Sequence, residues 1–423
     1  MLEIQLLRAR PDFVKERLTV KNFNQIELVD EILSIDEERR SIQQQLDDIR
    51  SKENILSKEI GTLMKSGNKE EAELKKTETF SLKDQSESLK IKFQEAEKKQ
   101  FDLLVLLPNL PNENVPVGKT AEDNTVVKQH GEIPKLHAGA LPHWELAKKY
   151  DLFDLELGVK VTGAGFPIYK GKGAKLQRAL ISFFLDTAIN AGYLEVIPPH
   201  MVNEASAFAT GQLPDKEGQM YHATADNLFL IPTAEVPLTN IVRDEIIDQQ
   251  SLPVKFTAYS PCFRREAGSY GKDVRGLNRV HQFDKVEIVQ IQHPEKSYQS
   301  LQEMCDHVEK ILIDLELPYR ILRLCGGDMS FASALTFDFE VYSTAQERWL
   351  EVSSVSNFET FQTNRLKTRY RDENKKIQLC HSLNGSALAL PRIVASILEN
   401  HQTENGIRIP KALQPYFGND IIA

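Results

Sequence analysis

The four cysteines in 423 residues, Cys262, Cys305, Cys325 and Cys380, form no C-x-x-C pair. That spacing indicates neither a disulfide framework nor a cysteine zinc site and fits a reducing compartment. No stretch approaches the roughly twenty apolar residues of a membrane span. The segment from Met1 to Arg10 has no positive region followed by a sustained apolar run, so a cytoplasmic protein with no membrane attachment is expected. A basic excess is missing too: net charge is −9 and the pI is near 5.7. This argues against a general nucleic-acid coat and confines any RNA contact to local patches. There is also no βαβ alternation with a glycine-rich phosphate turn, which disfavours a Rossmann domain. The length itself exceeds one typical domain.

An apolar residue recurs every seventh position at Leu28, Ile35, Ile42, Ile49, Leu56 and Leu63, with Ile32, Leu46 and Ile60 four residues after members of that set and Arg39 and Glu53 interrupting it. After Ser66, Gly67 and Asn68, a second stretch carries Leu82, Leu89, Ala96 and Leu103 at the same spacing, with Phe93 widening the stripe. Two such helices joined by a short turn fold back as an antiparallel coiled-coil hairpin whose first helix reaches roughly 55 Å. Its surface mixes Lys and Glu without a basic face; Arg50, Lys52, Lys58, Lys75, Lys76 and Lys83 are candidate RNA contacts, each with a solvated charge as the plain alternative.

Prolines 108, 111 and 116 and Gly118 end the hairpin, so 108–130 is expected to be a linker between an N-terminal domain, 1–107, and a larger one, 131–423. Beyond it, 174–190 reads as an amphipathic helix, and 227–231, 254–264, 279–290, 319–324, 335–341 and 349–355 read as strands of a sheet packed on one face.

The polar chemistry concentrates between Ile231 and Glu287. One segment holds Thr233, Ala234 and Glu235; the next runs from Cys262 through Arg264, Arg265 and Glu266, across a loop with Gly268, Gly271, Lys272, Arg275 and Gly276, to Arg279, Val280, Phe283 and Glu287. On an extended segment Arg264 and Glu266 share a face. A guanidinium suits a phosphate, a carboxylate suits an exocyclic amine, the loop folds over the phosphates and Phe283 stacks on a base. Arg-x-Glu alone is an ordinary surface pair, and Phe283 alone an ordinary core residue; the whole constellation is harder to obtain by accident. Such a hairpin is expected to hold ATP.

These residues resemble motif 2 of the class II aminoacyl-tRNA synthetases, and Thr233-Ala234-Glu235 resembles the serine-binding element of seryl-tRNA synthetases. The segment 192–199, with Pro199, resembles motif 1; His381 to Ser386 followed by Pro391 and Arg392 resembles motif 3, with Ala387 and Pro391 where many relatives have glycine. A proline before Arg392 is compatible with the first turn of a helix. The resemblance covers essentially the whole chain and implies an α+β fold: an antiparallel-sheet catalytic domain flanked by helices, with the coiled-coil hairpin as the arm that grips tRNA(Ser). It implies serine activation by ATP and transfer to the 3′ end of tRNA(Ser), with tRNA(Sec) left open as a further substrate, and a homodimer through motif 1.

The resemblance also implies site roles. Arg264 contacts the α-phosphate and holds the attacking carboxylate, Glu266 accepts from the adenine amine, Phe283 stacks on the ring, and Arg279 and Arg392 meet the β- and γ-phosphates. Arg265, Val280, Glu351, Val352, Ser353 and Ser354 complete the ATP-binding stretches, with Glu351 and Ser354 holding Mg²⁺. Thr233, Ala234, Glu235, Glu287 and Ser386 form the L-serine pocket; for Ser386 a helix N-cap is the alternative. Arg264, Glu287 and Arg392 are the expected catalytic residues. Two rival readings remain: a class II ligase loading another amino acid or acceptor, and a catalytically inactive synthetase-like RNA-binding or regulatory paralogue.

Overall fold

The computed structural model describes residues 1–215, 217–266 and 275–423. They fall into two compact units, 1–19 with 23–108, and 20–22 with 109–423.

In the first unit the short helix α1 (Ile4–Ala9) is followed by two long helices, α2 (Leu28–Ser66) and α3 (Lys69–Leu104). Gly67, left-handed at φ 83, ends α2 as its C-cap, which is where a residue without Cβ costs least. The heptad positions Leu28, Ile35, Ile42, Ile49 and Leu56 are buried along α2, as are Ala72 and Ala96 on α3. One buried position is charged: the Asp36 carboxylate accepts both Arg8 Nε and Arg8 Nη2 at 2.6 Å, Arg40 Nε at 3.1 Å and Gln100 Nε2 at 3.0 Å. Burial alone would raise its pKa, but the bonds from Arg8 and Gln100 outweigh it and hold the carboxyl well below the usual range. This node ties α1, α2 and α3 together at the base of the hairpin. A lone buried polar contact of this kind fixes the register that an apolar stripe leaves free to slip by a heptad.

The second unit contains helices α4 (His143–Tyr150), α5 (Gly171–Asn190), α6 (Glu235–Asn240), α7 (Ser297–Asp314) and α8 (Leu390–Asn400). Its main sheet is built from β1 (Thr125–His130), β2 (Leu194–Glu195), β3 (Val254–Phe263), β4 (Gln282–Gln292), β5 (Tyr319–Arg323), β6 (Leu335–Ser343), β7 (Arg348–Glu359) and β8 (His381–Ala389), in the order β1-β5-β6-β7-β8-β4-β3-β2. Every pairing is antiparallel except β2 with β3. The fold is therefore the α+β, antiparallel-sheet arrangement expected.

Residues 109–130 are not a free connector. Asn109 donates to the carbonyls of Ala332 and Phe358, both at 2.8 Å, and 125–130 is an edge strand of the sheet. The prolines stop the helix, yet extended backbone past the last of them still pairs at an edge. Strands β1 and β8 are not among the strands expected from the sequence pattern.

Side-chain alternation divides the sheet's duties. On β4, Val286 and Ile288 enter the main core with Leu180, Phe184, Met304, Ile311, Ile393 and Ile397 of helices α5, α7 and α8. Phe283, Lys285 and Glu287 take the opposite phase, and further along that phase Val289 and Ile291 pack on Ala234 and Leu238. On β8, Leu383 and Ala387 join the main core, so Ser382, Asn384 and Ser386 share the other face with Glu287.

Candidate active site

Glu287 sits in the middle of β4, opposite Ala258 of β3 and Ser386 of β8. It is 1% exposed and its Oε2 meets Lys285 Nζ at 2.5 Å. The Thr233 hydroxyl donates to the same oxygen at 3.1 Å and accepts the Glu235 N–H at 3.1 Å, which seats the start of α6 against the strand. Glu235 is also buried; its Oε1 accepts Gln362 Nε2 at 2.7 Å, and the Ser382 hydroxyl donates to Gln362 Oε1 at 2.7 Å. The structure thus brings Thr233, Ala234, Glu235 and Glu287 together with three residues the sequence did not single out: Lys285, Gln362 and Asn384, the last hydrogen-bonded to Glu235. Lys285 and Asn384 share strand faces with the expected Glu287 and Ser386, so period-two counting outward from those two was the signal available. Ser386 lies within β8, and the N-cap of α8 is Ala389, so the N-cap alternative fails.

Among the described residues, two buried carboxylates share this space with one buried ammonium, and the Arg264 guanidinium acts on Glu287 as well. Burial, and then the charge of Glu287, push the Glu235 carboxyl up to about 7. Glu287 is also raised by burial, while Lys285 and the Thr233 hydroxyl oppose the shift.

Beside this floor, Arg264 and Glu266 lie beyond the end of β3. Arg264 N–H donates to the His281 carbonyl at 2.9 Å, and Glu266 has a left-handed backbone at φ 48. Strand alternation does not govern the pair, which corrects the same-face argument from sequence. The Arg264 guanidinium lies 5.2 Å over the Phe283 ring, and Arg279 Nη1 pairs with Glu266 Oε2 at 3.2 Å. Arg265 bonds through its backbone to the Gln219 carbonyl at 2.9 Å. Val280 is buried. Loop residues 267–274, including Gly268, Gly271 and Lys272, lie outside the described residues.

Pro391 stands in the first turn of α8, where its missing N–H is harmless. Arg392 follows, with Nη1 donating to the Glu351 carbonyl at 2.7 Å and lying 3.7 Å from Glu351 Oε2. On β7, Glu351 is exposed and Val352 belongs to the main core, so any contact of Val352 with a ligand is through its backbone; Ser353 donates to the Ser386 carbonyl at 2.6 Å. Ser354 faces Asp338 of β6 in register and hydrogen-bonds to it. Asp338 is a further carboxylate that the sequence pattern does not single out. Burial and then Glu351 hold its pKa well above the ordinary range, and its Oδ1 has no hydrogen-bond partner among the described residues. Glu351, Ser354 and Asp338 form an all-oxygen donor set with an orphaned buried acceptor, and that chemistry fits a hard divalent cation such as Mg²⁺.

Residues 1–111 match the family described as the seryl-tRNA synthetase N-terminal domain, and 220–401 match the tRNA synthetase class II core domain (G, H, P, S and T). Over 420 residues the chain is 52% identical to the serine--tRNA ligase of Salinibacter ruber, covering 99% of this chain and 98% of that one. The crystal structure of seryl-tRNA synthetase from Pyrococcus horikoshii complexed with ATP is similar with a TM-score of 0.95 at 34% identity, over 100% of this chain and 99% of that one. The cytoplasmic serine-tRNA ligase from Naegleria fowleri in complex with AMP has a TM-score of 0.89 at 28% identity, over 100% and 98%.

The raised Glu235 carboxyl has a measurable consequence in the ligand-free chain. Glu235 keeps its proton in the folded state up to about 7, whereas the unfolded chain gives it up near 4.5. Between those values the native state binds more protons, so this group's contribution to stability falls as pH rises through the window and is constant above it. Glu235→Gln should remove that slope and raise stability above neutral pH by roughly 1–3 kcal/mol. Urea unfolding of both proteins from pH 4.5 to 8 reads it; parallel pH profiles would mean Glu235 is ionised throughout.

Proposed function

Because the chain belongs to the seryl-tRNA synthetase family and is a serine--tRNA ligase, we propose that the buried floor around Glu287 binds L-serine and that the arginine cluster beside it binds ATP. The single observation that carries this reading is the pair of buried carboxylates, Glu235 and Glu287, of which Glu287 alone is paired with the ammonium of Lys285 among the described residues. An amino acid's α-ammonium supplies the missing positive charge. The hydroxyls of Thr233 and Ser386 and the amide of Asn384 supply the polar partners that a serine hydroxyl needs. A pocket whose buried polar groups go unpaired with alanine rejects alanine strongly, and threonine is excluded by volume.

In the first step a serine carboxylate oxygen attacks the α-phosphorus of ATP and pyrophosphate leaves. In the second the terminal ribose hydroxyl of tRNA(Ser) attacks the seryl carbonyl and AMP leaves. Alignment and charge neutralisation supply most of the rate in the first step. Arg264 holds the attacking carboxylate and the α-phosphate in line. Phe283 stacks on adenine, Glu266 accepts from its amine, and Arg279 and Arg392 take the β- and γ-phosphates. Each of these two arginines is paired with a carboxylate, Arg279 with Glu266 and Arg392 with Glu351, which places both cations at the rim of the floor. Glu351, Ser354 and Asp338 would hold Mg²⁺, which when bound neutralises phosphate charge. The relatives matched over the full length are named for serine and tRNA; the reading as a ligase for another acceptor has no such support.

The arm of residues 28–104 binds tRNA(Ser) in this reading. Leu194 and Ile197, 63% and 88% exposed in the motif 1 segment, support a homodimer through that face. Sedimentation should give twice 48.1 kDa; a monomer at assay concentration would remove the dimer from the reading.

Arg264→Ala should abolish serine-dependent ATP–pyrophosphate exchange while the circular dichroism spectrum is kept. Near-normal exchange in the folded variant would overturn the placement of ATP.

Removing 44–91 and joining the ends by a short turn keeps the Asp36–Gln100 contact that closes the base of the hairpin. The shortened chain should activate serine normally yet lose tRNA charging. Aminoacylation equal to that of the full chain would reduce the arm to a structural element.

A further inference from the structure

Helix α8 carries Arg392 in its first turn and Glu399 in its last, and both ends hold the backbone that leads into Arg279. Arg392 Nε donates to the Asn278 carbonyl at 3.0 Å. At the other end, one oxygen of Glu399 meets the His143 backbone N–H at 3.0 Å and His143 Nδ1 at 2.7 Å, and Leu277 N–H donates to His143 Nε2 at 2.9 Å. A backbone N–H only donates, so Nε2 is the unprotonated nitrogen and the ring proton sits on Nδ1, facing Glu399. Both side chains are fully buried.

The contact is tight and extended. A Cβ on Gly276, whose φ is 65, would stand 2.2 Å from His143 Nε2. Arg275 lies 4.5 Å over the ring of Trp144, the neighbour of His143. Glu399 is held in turn by the Ser343 hydroxyl and by Gln346 Nε2 at 3.1 Å, and Gln346 Oε1 accepts from Asn278 Nδ2 at 2.9 Å. A buried imidazole and carboxylate are costly where apolar side chains would fill the same volume, and this pair earns its place only by bonding to something specific. What it bonds to is the loop backbone two residues before Arg279.

We propose that His143 is a positioning residue for the nucleotide phosphates: with Glu399 it locks Leu277 and Asn278 onto α8, so that Arg279 and Arg392 converge on one polyphosphate. This rests on the assignment of those two arginines to the β- and γ-phosphates. His143 touches no reacting atom; it acts through the backbone it holds.

The test is steady-state ATP–pyrophosphate exchange on the full chain, with ATP and serine varied separately. His143→Ala should raise the KM for ATP about tenfold or more, the scale set by small misplacements of binding groups, with the KM for serine within about twofold. His143→Gln, whose amide can both donate to Glu399 and accept from Leu277, should recover most of the loss. Gly276→Ala pushes on the same ring from the other side and should reproduce the ATP defect, which keeps the proposal testable if His143→Ala does not fold. Arg279→Ala and Arg392→Ala separate the two levels. If neither changes the KM for ATP, the phosphate assignment fails and this proposal with it. If both raise it while a folded His143→Ala or Gly276→Ala leaves it unchanged, or raises the two KM values equally, the positioning role alone is overturned.

Discussion

A central strand whose two faces do opposite work constrains everything in the second unit. On β4 the phase holding Val286 and Ile288 must be apolar, because it is covered by α5, α7 and α8, while the phase holding Lys285 and Glu287 is charged yet almost as deeply buried. Removing one partner from a buried ion pair costs about 3–5 kcal/mol, since the other is left uncompensated. The strand can therefore keep Glu287 only with Lys285 beside it, two residues away on the same face. Thr233 then fastens α6 to the pair, and Glu235 enters as a second carboxylate that the single lysine cannot balance. In the proposed reading the α-ammonium of the amino acid answers that deficit.

The same logic governs the arginines at the rim. Arg279 on Glu266 and Arg392 on Glu351 are exposed enough for solvent to weaken each pair, 44% and 26% for the arginines, so exchanging a carboxylate for a phosphate costs little. Deep charges are fixed and peripheral ones are exchangeable. In the proposed reading, that gradient separates the floor that takes the amino acid from the rim that takes the polyphosphate.

Much of this could be read from the chain, and the omissions have physical causes. The arm is legible because seven-residue periodicity is a long, redundant signal; Ile35, Ile42, Ile49 and Leu56 all proved buried. The Thr233 to Glu287 cluster is legible because several rare features crowd together. Strand β8 was missed because its serines, alanines, glycine and asparagine have weak strand propensity, and its pairing comes from neighbours on both sides rather than from its own side chains. Strand β1 has all six residues exposed, so it gives no one-face pattern. Lys285 and Asn384 could be reached only by counting in twos from Glu287 and Ser386, whereas Asp338 lies on a different strand from Ser354 and only their cross-strand register brings them together. Glu266 was assigned to a strand face by counting; its positive φ turns it toward Arg279 instead.

The arm obeys a different economy of contacts. Its helices meet each other through a sparse apolar spine, with Ile55, Leu74, Phe80 and Ile91 outside it and exposed. Such a spine sets that two helices pair but discriminates weakly among registers, because a shift by one heptad restores most apolar contacts. Asp36 breaks that degeneracy: in a slipped register its carboxylate would lose Gln100 and leave a buried acceptor short of donors. In the catalytic unit the proposed reading has a ligand answer the buried carboxylates, whereas in the arm the buried charge is met within the chain by Arg8, Arg40 and Gln100 and so specifies geometry. Whether a buried carboxylate is structural or functional is thus decided by counting its partners, a quantity visible only after the chain has folded.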